Sequence, residues 1–424
     1  MTDATERETD RGPSWDVLSG TEGVKTVVDG VHVLPAQGNA MAIETGAGVV
    51  LVDSGNGGDV TQRMIDALRG LTDAPVHAIC YSHGHVGYNS GAPMWAAEAE
   101  ARGDPPPRLI AHRNVVARHD RYRETLGLQM TLGAMQFPNP PPITSNPFDL
   151  TDPTETFDDS LTVTEEGRRV DVLWAPSETD DVIAVHLPDD RVVFGGAATP
   201  GSSIPNIGTP LRTLRLTTRW ADSLDRLAGL GGEALVQEFG PVVEGADVVR
   251  NQLTETARAL RWLRDEVVER MNRGMTDVEI IHDLEYPPEL FDQPWMAPTY
   301  GAPDYIVRDL YRQENGWWDR NPTTLHPAHP DAAAEAVLSA ITDRRRVLDR
   351  ARELAEEGQP QLALHVVDLL AQAAGDDAEL AEARQLKAEL CDARADEIDP
   401  YVSRALYHSS ARLLEAGRRR WAER

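Results

Sequence analysis

Between residues 24 and 245 short β-branched runs alternate with helical stretches and Gly/Pro turns, and after about residue 248 the β-branched runs stop. That change of pattern constrains the fold more than any single motif. Val27-Val28, Val31-His32-Val33-Leu34, Met41-Ala42-Ile43 and Gly48-Val49-Val50-Leu51-Val52-Asp53 are short, β-branched and bounded by turn residues, so they read as successive strands. A helix is predicted over 59–70, where Val60, Met64, Ile65 and Leu68 recur at helical spacing. A strand over 76–80, a helix over 92–101 and a strand over 108–111 follow. Residues 136–153 are proline-rich and predict a long irregular loop, a kind of segment that often serves as a lid or binding loop. Strand character returns at 170–174, 182–187 and 191–194. Strands, then helix, then strand, repeated, predict an α+β fold with a layered αββα sandwich over residues 20–247.

Beyond residue 248 Ala, Leu, Glu and Arg dominate at helical spacing. One long helix is expected over 247–274. Thr276 and Glu279 then form a capping box that opens another. Residues 287–330 are aromatic and proline-rich. Helices are predicted over 331–357, 361–374, 378–393 and 401–417, in a pattern like helical-hairpin repeats, with packing or oligomerisation as their role. The expected division is a mobile tail over 1–19, the sandwich over 20–247, a helical and aromatic connector over 248–329 and an all-α domain over 330–424.

Charge narrows the partners. With 41 basic and 69 acidic side chains the formal net charge is −28, which disfavours nucleic acid because phosphate binding needs basic patches. The same charge repels an anionic membrane. The chain has no apolar stretch near the ~20 residues of a membrane-spanning helix, and its polar start lacks the apolar core of a signal peptide. Cys80 and Cys391 cannot build a disulfide framework, so a reducing, cytoplasmic setting is expected.

The chemistry gathers at strand ends. After the apolar run 76–80 comes Tyr81-Ser82-His83-Gly84-His85-Val86-Gly87-Tyr88-Asn89. Two histidines one residue apart point to the same side, as ligands of one metal would, and imidazole is the commonest side-chain ligand. Glu178 lies in the turn Ala175-Pro176-Ser177-Glu178-Thr179-Asp180-Asp181 between two strands and supplies a third donor, with Asp180 and Asp181 as neighbouring candidates. His83, His85 and Glu178 would make a two-histidine, one-carboxylate face with open positions. Asp53 ends a strand, either to orient the histidine turn by hydrogen bonding or simply to form its own turn. Asn206, Arg212 and Arg215 follow a Gly/Ser/Pro turn. Arginine forks suit sulfate, phosphate or carboxylate, although arginines three apart are also common on helix surfaces. Tyr88 and Glu238 are candidates for proton transfer, with plain packing as the competing role for Tyr88. His112, just after a strand, is placed near the site.

Several stretches together resemble one family. They are the histidine turn, Glu269-Arg270-Met271-Asn272-Arg273-Gly274-Met275-Thr276, Tyr300-Gly301, Val307-Arg308-Asp309-Leu310-Tyr311 and Asn315-Gly316-Trp317-Trp318-Asp319-Arg320-Asn321-Pro322. They resemble the alkyl sulfatase branch of the metallo-β-lactamase superfamily over nearly the whole chain, with residues from about 330 resembling its dimerisation domain. The resemblance implies two zinc ions that activate water for cleavage of a sulfate ester. The first ion's ligands match His83, His85 and Glu178. The second ion's positions hold Gly87, Tyr88 and Phe239, and a bridging glutamate is missing near Gly196-Ala197. Sulfate-holding residues fall at or near Asn206, Arg212 and Arg215, and Tyr300 joins them as a substrate-binding candidate. The family's C-terminal lipid-binding-like domain has no counterpart after the helices, an expectation against a long-chain detergent substrate. Because every loss falls on the second metal, the resemblance implies a mononuclear hydrolase of a small anionic ester. The expected cofactor is one divalent ion, zinc ahead of iron or manganese, and the expected assembly is a homodimer through the C-terminal helices. Two competing readings are a mononuclear non-haem iron oxygenase or lyase of specialised metabolism, and a non-catalytic dimeric relative.

Overall fold

The structure, a computed structural model, describes residues 18–138, 146–201 and 203–423. The expected tail over 1–19 lies almost wholly outside the described residues, as does the middle of the 136–153 loop. Two compact units form: one from described residues within 15–129 and 140–314, the other from those within 130–139 and 315–424.

In the first unit, seven strands run in the order β1 (Lys25–Val28), β2 (Val31–Pro35), β3 (Asn39–Thr45), β4 (Gly48–Val52), β5 (Val76–Cys80), β6 (Arg108–His112) and β7 (Glu155–Phe157). The first pairs are antiparallel, and β4 through β7 are parallel. Six more make a second sheet, ordered β13 (Val243–Glu244), β12 (Ala234–Gln237), β11 (Val192–Gly196), β10 (Ile183–Leu187), β9 (Val170–Trp174) and β8 (Ser160–Thr164). Helices α1 (Gly58–Arg69), α2 (Ala92–Arg102), α3 (Asn114–Glu124), α4 (Leu126–Gln136) and α5 (Thr217–Ala228) fall between strands, α4 belonging to this unit only up to residue 129. After them come α6 (Ala246–Asn272), α7 (Asp277–Asp283), α8 (Pro288–Phe291) and α9 (Pro303–Asn315).

The two-residue period of a strand sorts side chains between layers. Met41, Ile43, Val50, Val52, Ala78 and Cys80 enter the core between the sheets and meet Val172, Val185, Phe194 and Val236. Their alternates Ala42, Val49, Leu51 and Ile79 face Met64, Leu68 and Trp95 of α1 and α2. On the far side, Val193 and Leu235 pack under Trp220, Leu224, Leu253, Leu260 and Ile306 from α5, α6 and α9. Strands covered on both faces need apolar residues at every position, which is why these runs are continuous rather than alternating. Each buried Val, Leu, Ile, Phe or Met among them contributes roughly 1.5–3 kcal/mol. The αββα sandwich expected from the pattern is the observed one.

Some elements went unread. α3, α5, β8 and β12 were not predicted, although Trp220, Leu224 and Leu227 sit at helical spacing in α5. The predicted long helix over 247–274 is α6, and the capping box at Thr276 and Glu279 opens α7. Among the described residues no helix is long and apolar enough to cross a membrane.

The second unit holds α10 (Pro322–Leu325), α11 (Pro330–Ser339), α12 (Arg344–Glu356), α13 (Pro360–Ala371), α14 (Ala378–Asp396) and α15 (Tyr401–Glu415). Leu348, Ala351 and Leu354 pack against Ala363, Val367 and Leu370, and these against Leu380, Ala383 and Leu390. The single helix expected over 331–357 is two helices. Asp343 breaks it, because its carboxylate accepts the Arg346 N–H at 2.9 Å and caps α12 afresh.

Candidate metal centre

Topology brings the candidates to one end of the sandwich. β4 and β5 are parallel, and so are β11 and β12; β9 runs the same way as β11 because two antiparallel pairings separate them. The loops after these five strands therefore emerge at strand carboxyl ends, where α/β sheets generally bind ligands. They carry Asp53, the histidine turn, Glu178, the Asn206–Arg215 segment and Glu238.

Three donors converge. One atom each of His83, His85 and Glu178 lies within 4.8 Å of the others, a spacing that could hold a metal ion. Glu178 Oε2 is 3.4 Å from His85 Nδ1 and 3.8 Å from His83 Nε2. His83 Nε2 and Glu178 Oε2 are buried and have no hydrogen-bond partner. Unpartnered buried donors and acceptors are rare because each costs about 1–3 kcal/mol, so this pair fits a group that both would bind. Asp180 and Asp181, the neighbouring candidates, are outside this cluster of three.

The surroundings fix each donor. His83 Nδ1 lies 2.9 Å from Ser82 Oγ, which leaves Nε2 to face the cluster. Asp53, at φ 64°, accepts from Ser82 N and from Asn89 Nδ2 at 2.8 Å each, so it ties the start of the histidine turn to its end. Burial pushes the His85 imidazole down to about 4. Burial also opposes the charge on Glu178, but His85 and the Arg215 guanidinium outweigh it and hold the carboxyl well below its usual range.

Asn206 and Arg215, expected to hold an anionic group, both reach Glu178, the first by a hydrogen bond and the second as an ion pair. Asn206 Nδ2 donates to Glu178 Oε1 at 2.8 Å, and Arg215 lies 3.0 Å from the same oxygen. Arg215 also donates to the Asn206 carbonyl. One carboxylate oxygen is thus occupied and the other turned to the histidines. Arg212 is half-buried and no acidic group pairs with it among the described residues. It lies within electrostatic reach of Tyr300 and Tyr122.

A second cluster sits beside the first. The Tyr88 ring is 4.4 Å from the His83 ring, and Tyr88 Oη donates to Glu238 Oε1 at 2.5 Å. Burial, and then the charge of Glu178, push the Glu238 carboxyl well above its usual range. Gly87 has φ 93°, and a Cβ there would stand 2.4 Å from Gln37 Oε1, so the Gln37 side chain already fills that space. Gln37 was not singled out in the sequence, since nothing local marks a residue between β2 and β3 as a neighbour of residue 87. His112, expected near the site, stacks on Trp174 at 5.1 Å with its ring edge-on to Phe157, within electrostatic reach of Asp180 and Asp181 in the Glu178 turn.

Residues 33–237 match the metallo-beta-lactamase superfamily, and residues 276–417 match the alkyl sulfatase dimerisation family. The chain is 28% identical over 338 residues to a linear primary-alkylsulfatase of a Pseudomonas species, covering 76% of this chain and 64% of that one. It is 24% identical over 409 residues to an (R)-specific secondary-alkylsulfatase of Pseudomonas sp., covering 89% and 60%. The chain therefore spans less than two thirds of the length of these relatives. The stereoselective inverting sec-alkylsulfatase Pisa1 from Pseudomonas sp. has the same fold, with a TM-score of 0.80 at 20% identity over 93% of this chain and 66% of that one.

Proposed function

Because the chain belongs to the metallo-β-lactamase superfamily, in its alkyl sulfatase-like branch, we propose that it hydrolyses a small anionic, sulfate-type ester with one divalent ion. His83, His85 and Glu178 would hold that ion. The observation that carries the reading is the pair of buried, unpartnered atoms, His83 Nε2 and Glu178 Oε2, facing one another across the cluster. Two imidazoles and a carboxylate suit zinc, with iron or manganese as alternatives.

An ion bound there would lower the pKa of its water toward ~7 and polarise the ester oxygen. The chain's own residues would do the rest. Asn206 and Arg215 keep Glu178 ionised and aimed. Arg212, which has no acidic partner among the described residues, would grip the anionic group beside Tyr300. A proton held between Tyr88 Oη and Glu238 Oε1 would pass to the departing alkoxide. Asp53 would keep the histidine turn in register. The second-metal positions of the family hold Tyr88, Phe239 and a Gly87 backed by Gln37, which supports a single ion.

We assign catalysis to residues 20–247, linkage to 248–329 and homodimerisation to the helices of 330–424. A cytoplasmic location fits two buried cysteines that form no disulfide. Elemental analysis of purified protein tests the core of this reading: one equivalent of metal, lost in His83→Ala, is expected, and two equivalents would sink it. Sulfate release from short-chain alkyl sulfates, against matched phosphate and carboxylate esters, tests the substrate class.

A further inference from the structure

The His83-Gly84-His85 turn and the Glu178 turn belong to different sheets, and Asp181 is the side chain that joins them. Asp181 is fully buried. Its Oδ2 accepts the Gly84 N–H at 3.0 Å and the Arg118 Nε–H at 2.8 Å, and its Oδ1 accepts the Thr179 hydroxyl. Arg118, from α3, reaches on to Asp180 Oδ1 at 2.7 Å. Beside these bonds Ile183 N donates to Ser82 O at 2.8 Å. Two ligand-bearing turns are thus fastened to each other at Ser82 and at Gly84, on either side of His83. The fit is close: a Cβ on Gly84 would stand 2.6 Å from Asp181 Oδ2 and 2.9 Å from the Arg118 side chain.

We propose that Asp181, braced by Arg118, is a positioning residue that sets the distance between the two histidines and Glu178, and thereby the affinity of the site for a divalent ion. This rests on the metal reading given above. Asp181 is not itself a ligand, since both carboxylate oxygens accept hydrogen bonds from the chain. It acts in two ways. It fixes the backbone between the histidines, and it adds a buried negative charge within electrostatic reach of both, its carboxyl kept ionised by Arg118 against the cost of burial. Groups that orient metal ligands from behind typically matter 10–100-fold in metal affinity.

The test is zinc affinity by chelator competition on the purified full chain, for wild type, Asp181→Ala, Asp181→Asn, Arg118→Ala, His83→Ala and Leu260→Ala. Leu260 is a buried α6 residue of the outer core, and its variant controls for loss of stability alone. Asp181→Ala is expected to weaken zinc binding by about 10–100-fold. Asp181→Asn, which can still accept the Gly84 N–H, recovers part of that loss, and Arg118→Ala falls between wild type and Asp181→Ala. Leu260→Ala lowers the unfolding temperature while leaving affinity as in wild type. Asp181→Ala binding zinc within twofold of wild type would overturn the proposal while the ligand assignment stood, as would equal weakening in Leu260→Ala. Wild type and His83→Ala binding zinc equally would remove the ligand assignment and this inference together.

Discussion

His83 and Tyr88 sit five residues apart on one turn, ring against ring, yet their polar atoms meet opposite ends. His83 Nε2 faces Glu178 with no partner, while Tyr88 Oη closes on Glu238. The carboxylates differ in the same way. Glu178 is held ionised by an arginine, and Glu238 is pushed toward its neutral form by burial. The difference teaches that an incomplete motif need not be a damaged one. At the positions that the resemblance gives to a second ion, a tyrosine bonded to a glutamate and a glutamine side chain fill the space. At His83 and Glu178 two buried atoms are left without a hydrogen-bond partner, at a cost of about 1–3 kcal/mol each.

The comparison breaks most visibly if the open half does not need a cation. Glu178→Ala is expected to bring the metal content from about one equivalent to background by elemental analysis, with activity lost alongside. Metal retained in that variant would end the assignment of Glu178. Arg212→Ala should come next, lowering kcat/KM by roughly 10²–10³-fold while metal content stays at the wild-type level, because it removes a cation that stabilises the anionic group. A loss of metal in that variant would move Arg212 from the substrate to the scaffold.

The closed half is sharpened by stability. Tyr88→Phe removes the donor to a buried carboxyl, so denaturant unfolding should show a loss of about 1–3 kcal/mol. An unchanged midpoint would mean that Glu238 finds another partner. The smallest effect is a slope. Glu238 has a folded-state pKa above its ordinary 4.5, so the stability it contributes is fully present below pH 4.5 and lost as pH rises toward the folded value. Glu238→Gln should therefore lose less stability than wild type between pH 4.5 and pH 8, measured by thermal unfolding. Parallel curves for the two proteins would show that Glu238 does not titrate in that window.

Part of the site was legible because strand ends announce themselves. An apolar run that stops at Tyr81 must stop where the sheet stops, and alternation then puts His83 and His85 on one side. The capping box at Thr276 was legible for a similar local reason, since Glu279 is three residues away and returns to the Thr276 N–H at 2.7 Å. The break at Asp343 was not, because Leu, Ala and Arg continue helical spacing through it and only the cap geometry ends the helix. Gln37 was illegible for want of any local signal.

The sequence by itself determined the layers, since strands buried on both faces require unbroken apolar runs, and it determined which turns carry imidazole and carboxylate. It did not decide what those groups would do to one another. Arg215 lies 37 residues from Glu178, and only the fold brings its guanidinium onto that carboxylate. Asp181 reads as one more turn aspartate until the two sheets bring Gly84 to it. The physical reason is range: backbone propensity and side-chain period act over a few residues, whereas charge pairing and desolvation act across whatever the packed layers bring within a few ångströms.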